Sequence, residues 1–143
     1  GQDVALIDVT YGGETSTPAR LPIAEAAPGL FPTALNEDGT LNSPENPAAP
    51  GSNVIFYATG EGITTPPSVT GRPGTGQAVP AAPVACTIGG QTAQLRYAGQ
   101  PQGLVGVIQI NARVPAELPP GPAAAVLTIG GQSSQEGVTV AVR

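Results

Sequence analysis

Apolar positions along this chain come in short alternating runs and never in helical stripes. Leu104–Val114 (LVGVIQINARV) sets Leu104, Ile108, Ile110, Ala112 and Val114 on one parity and Val105, Val107, Gln109, Asn111 and Arg113 on the other. A period of two over such a run predicts a strand, with its even-numbered side toward a core and its Gln/Asn/Arg end wet. Asn53–Thr59 (NVIFYAT) is a compact β-branched and aromatic run and also predicts a strand. No stretch of 11 residues sustains a 3.6-residue period, and Pro or Gly interrupts every candidate helix.

Three of the apolar runs end in the same punctuation. Thr10-Tyr11-Gly12-Gly13-Glu14-Thr15 recurs as Thr87-Ile88-Gly89-Gly90-Gln91-Thr92 and as Thr128-Ile129-Gly130-Gly131-Gln132-Ser133. A two-residue Gly-Gly loop predicts a hairpin, because a type I′ turn needs positive φ at both central positions. The expected hairpins join 4–11 to 14–23, 83–88 to 91–97 and 123–129 to 132–142. The first and last are alike over their whole length: residues 5–24 mimic residues 123–142. Prolines gather between the runs, in 42–51, 65–83 and 114–122, where they favour extended or turn conformations and exclude central strands. The 65–83 stretch is the connection best suited to mobility or partner contact. Many short strands with turn signals between them predict an all-β antiparallel sandwich.

Composition then sharpens the picture. The 143 residues include 20 Gly and 17 Pro, a share at which low complexity has to be considered. Placed as hairpin turns and connections, they are punctuation of a fold. Tyr11, Phe31, Phe56, Tyr57 and Tyr97 are the only aromatics, so the core must come from Val, Ile, Leu and Ala. The absence of His excludes a Ser-His-Asp triad and an imidazole metal site. The absence of Lys excludes a Schiff base, a P-loop lysine and a Lys–Asn isopeptide staple. Five dispersed arginines against ten acids, net charge −5, make a poor nucleic-acid binder. No apolar run approaches the ~18 residues of a membrane span.

The remaining chemistry is thin. Asn36, Asp38, Thr40 and Asn42 alternate, with Glu45 downstream, in a pattern open to a calcium loop or, more simply, to an Asp-Gly hairpin turn. The seven Glu and three Asp mostly flank turns, as solvated surface rather than as a glycosidase carboxylate pair. Thr59-Gly60-Glu61-Gly62 lacks the spacing and the following helix of a dinucleotide loop. Cys86 alternates with Val84 and Ile88 and reads as a buried thiol, the alternative being an intermolecular disulfide. Ser133 and Ser134 have no base partner and read as polar strand residues. The expectation is therefore a protein that is not an enzyme and has no cofactor or metal.

Several ordered motifs resemble a known family. They are Ala27-Pro28-Gly29-Leu30-Phe31, then Leu35 through Ala48 (LNEDGTLNSPENPA), then Tyr57-Ala58-Thr59-Gly60-Glu61-Gly62. They continue in Ile88 through Ala93 (IGGQTA), Tyr97-Ala98-Gly99, Gly106 through Asn111 (GVIQIN), Val114-Pro115 and Pro120-Gly121-Pro122. Together, over about residues 25–143, they resemble the Solibacter-type C-terminal domain of secreted acidobacterial proteins, and residues 84–142 also resemble an IPT/TIG immunoglobulin-like domain. The resemblance implies an Ig-like antiparallel β-sandwich outside the cytoplasm and supplies no catalytic residues.

Two regions are expected on this basis: an N-terminal β-hairpin over 1–24, and an Ig-like sandwich over 25–143. Residues 1–24 have the look of the closing strands of a preceding Ig-like unit or of donor strands. A lone two-stranded hairpin is marginal in water, so it needs a docking partner, in its own sandwich or in a neighbour. The expected function is an extracellular structural or interaction protein, self-associating as a surface or filament subunit by strand addition. Val4, Leu6, Val9, Tyr11, Leu21 and Ile23 would supply the assembly interface. The alternative is a monomeric C-terminal adhesion or attachment module of a larger secreted protein. Expected partners are other copies of the chain and cell-surface or extracellular-matrix components. Gly1 is not an initiator product, so the chain is expected to be a processed mature form or an excised piece. Its Thr/Ser/Gln/Asn/Gly-rich composition without Lys, with the resemblance, implies an extracellular or cell-surface location after removal of a signal peptide.

Overall fold

A computed structural model describes residues 3–143. Its strands are β1 (Val4–Ile7), β2 (Thr10–Tyr11), β3 (Glu14–Thr15), β4 (Ala19–Pro22), β5 (Gly29–Asn36), β6 (Asn53–Thr59), β7 (Thr64–Thr65) and β8 (Val79–Pro80). They continue with β9 (Val84–Ile88), β10 (Gln91–Gly99), β11 (Ile108–Arg113), β12 (Gly121–Ile129), β13 (Gln132–Ser133) and β14 (Thr139–Val142). No helix occurs among the described residues. Eight strands form one antiparallel sheet in the order β13-β12-β9-β10-β11-β6-β5, with β14 also pairing β12.

That sheet curls because its long strands change partners along their length. Gln91–Ala93 of β10 pair with β9, whereas Gln94–Gly99 pair with β11, with a bulge between Leu95 and Tyr97. In the same way β12 pairs with β14 through Gly121–Ala124 and with β9 through Ala125–Ile129. A bulge adds bend and twist to the strand that carries it, so one ladder can turn its two halves toward a common interior. The two ends of the sheet are then tied by side-chain amides. Asn42 Nδ2 donates to the Ala141 carbonyl at 3.0 Å while its Oδ1 accepts the Ala141 N–H at 2.8 Å. The Gln135 amide does the same to Leu30, accepting its N–H at 3.1 Å and donating to its carbonyl.

The alternation read in the sequence lines the interior. Val54, Phe56 and Ala58 of β6, Ile108, Ile110 and Ala112 of β11, and Ala125, Leu127 and Ile129 of β12 are all buried. Burying each large aliphatic side chain contributes about 1.5–3 kcal/mol. The even-numbered side of the 104–114 run faces the core as expected, but the strand starts only at Ile108. Leu104 sits in a loop, its carbonyl accepting the Gly74 N–H at 2.8 Å. All three Gly-Gly hairpins form, with φ of 58–60° at the first glycine of each pair. Segment 42–51 is a connection, while 65–83 contains one small ribbon, β7 with β8.

Strand β5 was not expected. Pro32 and the exposed Phe31-Pro32-Thr33 interrupt its alternation, and the pairing to β6 shifts register between Leu30 and Ala34. A proline is tolerated there because the strand bulges at the sheet's edge, where no ladder bond is needed from it. Cys86 is buried on β9, and burial pushes its thiol up to about 12, so it stays protonated and unreactive.

Candidate functional site

Besides the small β7–β8 ribbon, the N-terminal ribbon of β1 to β4 stays outside the curled sheet. Among the described residues, strands β1 and β4 pair only with each other, as do β2 and β3. Cross-strand partners are Val4 with Pro22, Ala5 with Leu21, Leu6 with Arg20 and Ile7 with Ala19. Beyond them, the Ser16 N–H donates to the Val9 carbonyl at 3.0 Å, and the Val9 N–H donates to Ser16 Oγ at 3.1 Å. The Thr10 and Thr15 hydroxyls meet across the ribbon at 2.9 Å. Gly12 and Gly13 close the turn with φ of 60° and 87°.

Side chains of a strand alternate between faces, so this register sorts the ribbon. Val4, Leu6, Arg20 and Pro22 share one face; Ala5, Ile7, Ala19 and Leu21 share the other. Ile23, whose N–H donates to the Asp3 carbonyl, extends the second set. Neither face is covered: Leu6 is 63% exposed, Ile7 49%, Leu21 47% and Ile23 52%. Val9 at 64% and Tyr11 at 89% are more open still. The expected interface residues are therefore not one surface. Val4 and Leu6 lie opposite Leu21 and Ile23, while Val9 and Tyr11 belong to the outer ribbon. Ile7, absent from the expected set, is the central apolar residue of the Leu21 face; its place in the i, i+2 alternation with Ala5 and Val9 was the signal.

The ribbon is held close to the sheet by a short, tight connector. Three residues, Ala24 to Ala26, separate Ile23 from Ala27, whose N–H donates to the Gly60 carbonyl at 3.0 Å. The motif Thr59-Gly60-Glu61-Gly62 is the cradle for that segment. A Cβ on Gly60 would stand 1.8 Å from the Ala27 carbonyl oxygen, and one on Gly62 would stand 2.2 Å from that of Glu25. Both glycines also have positive φ, of 76° and 74°. The glycines thus serve close backbone approach.

The other polar constellations are committed to the fold. Asp38 Oδ1 accepts both the Thr40 N–H at 3.0 Å and the Thr40 hydroxyl at 2.6 Å, which holds the carboxyl of Asp38 below its usual range. Asn36 Oδ1 accepts from Asn42 Nδ2 at 2.9 Å, and Thr40 Oγ1 accepts from Asn46 Nδ2 at 2.8 Å. These oxygens stabilise an Asp-Gly turn. Among the described residues, no three His, Cys, Asp or Glu side chains gather as a metal site. Glu61 Oε1 accepts from Gln100 Nε2 at 2.6 Å, while its Oε2 is buried without a partner. Burial raises the Glu61 carboxyl above its ordinary value. A groove of about 390 Å³ between the β5 bulge and β14 is lined by Pro32, Leu41, Pro44, Pro122 and Val142 among others, with no ionisable side chain in its wall. No helix of the described chain is long and apolar enough to cross a membrane. Compared with family models, curated proteins and solved structures, the chain finds no match.

Proposed function

We propose that this chain is an extracellular structural or interaction protein, an Ig-like (IPT/TIG-like) β-sandwich that self-associates by strand addition through its N-terminal hairpin. The exposed hairpin carries this reading: among the described residues β1 and β4 pair with nothing else, so each keeps an open edge, and both faces expose large apolar side chains. Open strand edges and uncovered apolar area are the two things strand addition uses. Head-to-tail addition whose rotation does not close grows filaments. The resemblance of residues 25–143 to a domain of secreted proteins supports the extracellular placement. Light scattering tests the proposal. The intact chain should associate as its concentration rises, and the chain shortened to 25–143 should not. A strictly monomeric intact chain, or undiminished association of the shortened one, contradicts it.

A second reading has a specific observation in its favour. Each copy already fills the last place of its own sheet with β12–β14, so an incoming hairpin finds that place taken. This favours an attachment module of a larger secreted protein, in which the hairpin serves a different sandwich.

A further inference from the structure

The hairpin of residues 3–23 repeats the turn, the serine hydrogen bonds and the strand register of the closing hairpin, with two residues (17–18) where the closing hairpin has three (135–137). The Val9 N–H donates to Ser16 Oγ at 3.1 Å, and the Leu127 N–H donates to Ser134 Oγ at 3.1 Å. The Ser16 N–H donates to the Val9 carbonyl, and the Ser134 N–H donates to that of Leu127. The Thr10–Thr15 hydroxyl pair has its counterpart in Thr128–Ser133. Gly12 and Gly13 correspond to Gly130 and Gly131, with φ of 60° and 87° against 58° and 81°. At the base, Ala5 pairs with Leu21 as Ala123 pairs with Val140, and Asp3 meets Ile23 as Gly121 pairs with Val142.

This correspondence identifies the face that should be covered. In the closing hairpin, Ala123, Ala125, Leu127, Ile129, Val140 and Val142 are buried in the core. Their counterparts are Ala5, Ile7, Val9, Tyr11, Leu21 and Ile23, every one apolar or aromatic. The outward positions Ala124 and Thr139 correspond to Leu6 and Arg20. Ser134, buried at 8% exposure, corresponds to a Ser16 that stands exposed.

We infer that the partner of the N-terminal hairpin is a second β-sandwich of this same design, whose sheet lacks its closing hairpin and takes residues 3–23 in that place. This rests on the hairpin being the docking element, and not on self-association. The volumes say that the partner's core differs from this one. Ile7 stands where this sandwich has Ala125, and Ala19 stands where it has Val138. Entering this core, the hairpin would crowd one site and leave a gap at the other, and tight cores tolerate neither well. The cognate sandwich therefore has room opposite Ile7 and bulk opposite Ala19. The short connector then fixes that sandwich next to the Gly60–Gly62 end of this one.

The test extends the intact chain with an additional copy of residues 25–120 placed directly before residue 3, in two forms. One form keeps the native hairpin; the other carries Ile7→Ala, Val9→Leu and Ala19→Val to match this core. The expected result is a second cooperatively folded unit, more stable in the matched form. The Val9 amide should then exchange on the order of a hundredfold more slowly than in the 143-residue chain. Adding Leu21→Asp should unfold that unit and leave the other intact. If the leading segment stays unfolded in both forms, or if Val9 gains no protection, the inference is overturned. Light scattering of the unextended chain reports separately on self-association, so the two failures are distinguishable.

Discussion

Two hairpins of one design sit in opposite environments in this molecule. In β12–β14 the apolar face is buried in the core and the edge of β12 is paired to β9; in β1–β4 the matching face meets solvent. Their glycine turns and serine hydrogen bonds are alike, although the N-terminal hairpin has one residue fewer after its serine and its first strand is interrupted where β12 is continuous. What differs is whether a sheet receives them. The hydrogen-bond pattern of a hairpin is thus local and needs no partner, whereas the energetic value of its apolar face depends wholly on one.

Equivalent substitutions in the two hairpins should break this symmetry. The largest contrast is Leu127→Ala against Val9→Ala. The first leaves a cavity in the core and should cost about 2–5 kcal/mol in urea unfolding. The second truncates a side chain that touches little and should fall within about 0.5 kcal/mol. A comparable cost from both would mean that the N-terminal hairpin is docked. Next comes the serine pair. Ser134→Ala leaves the buried Leu127 N–H without its acceptor, at about 1–3 kcal/mol. Ser16→Ala hands the exposed Val9 N–H to water, at roughly 0.5 kcal/mol or less.

The connector sharpens the comparison from another side. Gly60→Ala drives a methyl into the Ala27 carbonyl and should cost about 1–3 kcal/mol. Gly12→Ala meets nothing within 4 Å, so only its positive φ resists, and global stability should barely change. The smallest effect is one of pH. Burial raises the Glu61 carboxyl, so the folded state holds that proton more tightly than the unfolded chain does. The group's contribution to stability is therefore greatest below its ordinary value of 4.5 and declines as pH rises through the interval up to its raised value. Glu61→Gln should flatten that decline in chemical unfolding across mildly acidic pH. An unchanged slope would mean that Glu61 titrates normally.

Much of this was legible in the residues. The Gly-Gly repeats and the period-two runs marked the hairpins, β6 and the core side of β11, because turn chemistry and alternation are local signals. Strand β5 was hidden, since its Pro32 bulge is tolerated only at an edge that long-range pairing creates. The role of Thr59-Gly60-Glu61-Gly62 was hidden for a similar reason: the need for glycine comes from Glu25 and Ala27, far away in sequence. The likeness of residues 5–24 to 123–142 is visible in the sequence, but the one-residue shift that sets Leu21 against Val140 and Ile23 against Val142 shows only in the strand register. Which face Val4, Leu6 and Ile7 occupy relative to Leu21 and Ile23 depends on the register across the turn, which alternation within one strand does not give.

Amide hydrogen exchange at two positions distinguishes a free N-terminal hairpin from a docked one. The Val9 and Leu127 N–H groups make the same hydrogen bond, 3.1 Å to a serine hydroxyl, so their difference reports the environment of each hairpin and not its local geometry. In dilute intact chain, Val9 should exchange on the order of a hundredfold or more faster than Leu127, and it should gain protection as the hairpin becomes engaged at higher concentration or in the extended chain. Equal protection of the two amides in dilute monomer would show that the N-terminal hairpin is already covered, and would contradict the account.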